Sequence, residues 1–180
     1  MKTLIIVGLL TLASSVSASG INHDESTDWN KWNEVGRAQL SMFFFDIYNS
    51  QLLTPSGQYK VDKDITPHPL ALSITYQRDI SQQQLLDATV EQWEKLGFSY
   101  FQARTWAVEL ETIFPDIEEG HNITYVTDGQ QGQFFHSVEA SQQLIGAITD
   151  ETLNDAFLAI WLSPDTEYPK LRQGLIGNNR

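Results

Sequence analysis

Residues 70–76 (LALSITY) alternate strictly, with Leu70, Leu72, Ile74 and Tyr76 on one side and Ala71, Ser73 and Thr75 on the other. Close behind, Ser81 begins a stretch in which Leu86, Val90 and Trp93 recur at helical spacing. A period of two followed at once by a period near 3.6 describes a strand with one apolar face and an amphipathic helix following it. Neither element buries its apolar side alone, so the chain must build a sheet and lay helices on it. The punctuation agrees. Pro67 and Pro69 precede the strand, Ser81 and Gln84 have the spacing of a capping box, and Gly97 offers a left-handed stop to the helix.

The flanking sequence extends this pattern. Residues 35–53 are rich in aromatic and β-branched side chains and run into Pro55, Ser56 and Gly57, which predicts one long strand or two bent ones. A second helix is expected over 100–114, with Trp106, Leu110 and Ile113 on one stripe, closed by Pro115 and Asp116. Residues 122–128 and 133–138 flank a loop containing Gly129 and Gly132, as in an antiparallel hairpin. Asp150 opens a helix carrying Leu153, Phe157, Ile160 and Trp161 that ends at Ser163 and Pro164, and a last helical turn covers 169–175. Residues 139–149 receive no assignment. Strands, helices, a hairpin and more helices give an α+β fold with a mostly antiparallel sheet covered by helices.

The start of the chain has a different character. Lys2 supplies a positive charge, residues 4–13 form an apolar run, and Val16, Ser17 and Ala18 are the small residues of a signal-peptidase site. Residues 1–18 are expected to be a signal peptide cut after Ala18. Ten apolar residues fall short of the roughly 20 needed to cross a bilayer. Residues 19–31 are polar and aperiodic and read as a flexible lead-in, leaving 32–180 as a single domain. The expected location is the periplasm or the medium, with no stable membrane insertion. No cysteine follows the cut to carry a lipid, and the chain has none anywhere, which excludes disulfides, thiol catalysis and cysteine zinc sites. The net charge of −12, or −13 once Lys2 is removed, opposes nucleic-acid binding. The sequence names no protein partner.

Motifs for chemistry are scarce. His23, His68, His121 and His136 are scattered with no helical i, i+4 pair, so no metal site is expected, and His136 reads as a packing residue. No nucleophile elbow, P-loop or dinucleotide fingerprint occurs, and no cofactor is called for. The Gly-rich DGQQGQ is a hairpin loop, and the Asp116, Glu118 and Glu119 cluster reads as solvated. Arg172 is expected to tie the C-terminal segment down. A guanidinium at an apolar cleft mouth would pair with a carboxylate head group, which makes Arg37 and Arg78 candidates, while the favoured reading of Arg78 is a salt bridge with Asp79 or a nearby acid. Phe43, Phe44, Phe45 and Tyr48 put rings on both faces of one strand, so either the sheet is covered twice or one side lines a pocket.

The segments LALSITYQRDI, TVEQWEKLG, TIFPDIEEG, AFLAIWLSP and PKLRQGLIG, in that order, resemble the bacterial chalcone isomerase-like family across residues 32–177. The resemblance implies an open-faced β-sandwich, a large antiparallel sheet with helices packed on it. The wider superfamily includes plant enzymes that cyclise chalcones and non-enzymatic relatives that bind fatty acids in the same cleft. MFFFDIYNSQL resembles the enzymes' threonine-bearing strand, and counting back from Tyr48 the threonine position falls on Phe43, which offers no donor to a developing enolate. Tyr76, Arg78 and Asp79 resemble a stretch that in the family ends a strand and fixes the turn into a helix. The function so implied is that of a non-catalytic, extracytoplasmic protein taking a small lipophilic or amphipathic ligand such as a fatty acid. Arg37, Phe43, Phe45, Tyr48, Tyr76 and Arg78 are its candidate binding residues, and no catalytic residue is assigned. Two alternatives stand beside it. One is an isomerase of the intramolecular lyase type acting on a conjugated ketone, in which Tyr48, Tyr76 and Arg37 converge. The other is an envelope scaffold docking through an exposed apolar patch.

Overall fold

The computed structural model describes residues 28–178. The cleavage site after Ala18 and most of the lead-in lie outside the described residues. The end of that lead-in is ordered: Trp29–Lys31 form a 3-10 turn, the Asp28 carboxylate accepts the Asn30 N–H at 3.3 Å, and the Trp29 ring lies 6.1 Å from Phe135.

Six strands form one antiparallel sheet whose spatial order is the chain order: β1 (Asn33–Met42), β2 (Phe45–Thr54), β3 (Leu70–Tyr76), β4 (Asn122–Thr127), β5 (Gly132–Val138) and β6 (Ser141–Ile148). Helices α1 (Gln82–Lys95) and α2 (Tyr100–Glu111) are inserted between β3 and β4, and α3 (Glu151–Leu162) and α4 (Pro169–Leu175) follow β6. The result is the α+β open-faced sandwich expected from the sequence. No helix among the described residues is long and apolar enough to cross a membrane.

The period-two face of β3 is the centre of the core, because Leu70, Leu72, Ile74 and Tyr76 are all buried beneath the helices. Each such side chain contributes about 1.5–3 kcal/mol as an upper estimate. Helix α1 begins where the capping box predicts, with Ser81 accepting the Gln84 N–H and the Gln84 side chain accepting the Ser81 N–H. Trp93 then donates to the Ala156 carbonyl at 2.8 Å, and the Tyr125 hydroxyl donates to Asn154 at 2.7 Å, so α3 is anchored to both α1 and β4. Asp150 caps α3 through the Leu153 N–H at 2.7 Å. Arg172 donates to the Leu162 carbonyl at 2.7 Å, tying α4 to the end of α3.

Three details are added or change. Of the two expectations for residues 35–53, one long strand or two bent ones, the structure has two strands, paired as a hairpin: Met42 pairs with Phe45, and the chain reverses through Phe43 and Phe44 with Phe43 at φ 57°. The second helix stops at Glu111, where Thr112 caps it, and Ile113 and Phe114 enter the core from the loop that follows. The unassigned 139–149 contain β6, reached through a turn in which Glu139 takes φ 51°.

Candidate functional site

Between the sheet and the helices lies an apolar cavity of about 170 Å³. Strands β2 and β3 supply its floor. Tyr48 and Tyr76 are directly opposed across these strands, because in antiparallel pairing both fall on the helix-facing side, and their rings meet edge to face at 6.0 Å. Phe114, Phe157 and Trp161 close the deep end, and α1 forms the outer wall with Leu85, Ala88 and Gln92, an i, i+3, i+7 stripe. Met42 and Gln84, both exposed, stand at the mouth. The volume is close to that of engineered apolar cavities that take a benzene-sized guest, so a longer chain must displace the flexible side chains at the mouth.

The polar groups in this lining are few. Trp161 Nε1 donates to Tyr48 Oη at 2.9 Å, which leaves the Tyr48 hydroxyl hydrogen unspent. The Tyr76 hydroxyl has no hydrogen-bond partner among the described residues. Burial pushes the pKa of both phenols well above the ordinary tyrosine value, so both remain neutral donors at any physiological pH. An apolar chamber with two neighbouring tyrosines in its lining can hold an aliphatic or aromatic body and hydrogen-bond an oxygen of it.

Of the six residues chosen from the sequence, only Tyr48 and Tyr76 line this cavity. Arg37 is on the opposite, open face of the sheet, where Glu34 holds it bidentately at 2.9 and 2.6 Å. A bulge between Glu34 and Gly36 puts residues i and i+3 on one face, so the guanidinium is already paired. Phe43 and Phe45 sit at the hairpin tip, 93% and 62% exposed. Arg78 stacks over the Phe45 ring at 5.5 Å instead of pairing with Asp79, whose carboxylate accepts the Glu119 N–H at 2.9 Å. Tyr48, Tyr76 and Arg37 therefore do not converge, and the arrangement required for the isomerase alternative is absent.

The deep wall was not found from the sequence. Phe157 and Trp161 read there as helix core, and their i, i+4 spacing was the available signal. The acidic cluster holds backbone, with Asp116 accepting the Gln82 N–H at 2.8 Å, and no group of three metal-ligating side chains occurs among the described residues. His136 is half-buried and lies 3.2 Å from His121.

The family model described as chalcone isomerase-like matches residues 33–177. An uncharacterised protein of Haemophilus influenzae is 24% identical over 149 residues, covering 83% of this chain and 70% of the relative. Among solved structures, a fatty-acid binding protein of Arabidopsis thaliana superposes with a TM-score of 0.59 at 10% identity, covering 85% of this chain and 90% of that one. At that identity the match speaks for the fold.

Proposed function

The chain belongs to the chalcone isomerase-like family, and on that footing we propose that it is an extracytoplasmic, non-catalytic binding protein for a small lipophilic or amphipathic molecule such as a fatty acid. The observation that carries the reading is the apolar cavity with its two unspent phenol donors. A carboxyl oxygen at Tyr48 and Tyr76 takes up these donors while the chain lies against Ile74 and α1. Support for the ligand class comes from the fatty-acid binding protein that shares the fold. The signal-like residues 1–18 support the location. The arginine anchors proposed for the head group are replaced by the tyrosine pair, since neither Arg37 nor Arg78 lines the chamber.

Native mass spectrometry of the purified mature protein, followed by organic extraction, tests the proposal. A co-purifying fatty acid or similar lipid at one per chain is expected. Clean apoprotein that takes up no added fatty acid overturns it.

A further inference from the structure

The end of the β1–β2 hairpin is an unusual surface. Phe43 is 93% exposed, Phe44 99%, Phe45 62% and Met42 45%, so four consecutive apolar side chains stand in solvent. Phe43 also holds φ 57°, a conformation that bulky residues avoid and that glycine or asparagine adopts without difficulty. Neither burial nor backbone preference explains phenylalanine there. A hairpin tip is too narrow to bury the area that a stable protein interface needs, but it has the shape of a wedge that enters a lipid interface.

Beside the tip runs a groove of about 650 Å³ whose lining carries both signs of charge: Arg78, stacked on Phe45, shares it with Asp46 and Glu119. Gln77 also lines the groove, and its Oε1 is a buried side-chain acceptor with no hydrogen-bond partner. A cation, two carboxylates and an orphan acceptor match a zwitterionic head group whose ammonium bears hydrogens: the phosphate would pair with Arg78 and the N–H groups would serve Gln77 and the carboxylates. Met42 lines the cavity mouth, Phe44 and Phe45 line the groove, and Tyr76 borders both. The tip therefore stands where a molecule leaving a bilayer would enter the chamber.

We infer that the Met42-Phe43-Phe44-Phe45 tip and the Arg78 groove dock on the surface of a phospholipid bilayer bearing zwitterionic, primary-ammonium head groups. That this contact delivers the cavity's ligand rests on the function proposed above, whereas the docking itself does not. The chain's net charge of −12 disfavours a bilayer rich in anionic lipid.

Flotation of the mature protein with vesicles of phosphatidylcholine, with and without phosphatidylethanolamine, tests the docking. Binding is expected to be tighter with phosphatidylethanolamine, to fall at least about tenfold in F43S/F44S, and to lose the phosphatidylethanolamine preference in Q77L. The chain has no cysteine, so F44C carrying a polarity-sensitive fluorophore reports the tip alone, and a blue shift on adding vesicles is expected even if the serine variant folds poorly. A wild-type protein that takes up fatty acid from solution but ignores vesicles overturns the inference and leaves the proposed function standing. Vesicle binding through the tip without fatty-acid uptake does the reverse. Binding unchanged in F43S/F44S, or a tip that drives self-association instead, also overturns it.

Discussion

At the scale of single residues, the site turns on Tyr76. Its hydroxyl makes no hydrogen bond among the described residues, so removing it takes away no bond of the folded protein while removing one donor to the ligand. Tyr76→Phe is expected to leave stability unchanged or up to ~1 kcal/mol higher, and to weaken fatty-acid binding about twofold to tenfold. Thermal unfolding and ligand titration on the same samples check both halves, and a loss of stability would show that the hydroxyl is structurally engaged. Arg37 shows why a residue type alone misleads. A guanidinium near an aromatic strand suggests an anion site, yet the bulge that brings Glu34 beside it is a backbone irregularity with no clear trace in the sequence. Phe43 hid the hairpin for a related reason, since the chain reverses there without the glycine or asparagine that marks such a turn.

At the scale of elements, α4 depends on a pair of glycines. A Cβ on Gly36 would lie 2.1 Å from the Gly174 carbonyl oxygen and 2.7 Å from that of Leu175, so α4 lies directly against the backbone of β1. Backbone cannot yield as a side chain does, and Gly36→Ala is expected to cost on the order of 3–5 kcal/mol, read as a lowered denaturation midpoint. The β4–β5 hairpin carries the pH response. Burial first, and then neighbouring His121, hold the His136 pKa below its ordinary value of roughly 6.5. The unfolded chain thus takes up that proton first, so the stabilisation is complete above about pH 6.5 and is lost as the pH falls. The difference in stability between pH 7.5 and 5.5 should be smaller in His136→Gln than in the wild type, and an equal or larger difference would contradict the assignment. Helix α1 and strand β3 were legible because capping, periodicity and burial agree in them. Strand β6 was not, because the polar Gln142 and Gln143 give it no clean alternation, and at Gly146, where a Cβ would lie 2.6 Å from the Ile113 side chain, the packing leaves no room for an apolar marker.

At the scale of the whole molecule, the open sheet and the helices that cover one side of it leave an apolar chamber where β1–β3, α1 and α3 meet. The fold class was readable from the order of periods along the chain. The chamber was only half readable, through Tyr48 and Tyr76, because its outer wall is made by helix residues that any amphipathic pattern would show. The central claim is that this chamber holds the ligand. Titrating a medium-chain fatty acid into the wild type and Ala88→Trp tests it most directly, since Ala88 is an exposed helical position at the chamber's edge and the indole can block entry without disturbing the core. One site per wild-type chain, and affinity at least about tenfold weaker in a variant of unchanged stability, is the expected result. Equal binding by both proteins, or none by either, would contradict the claim.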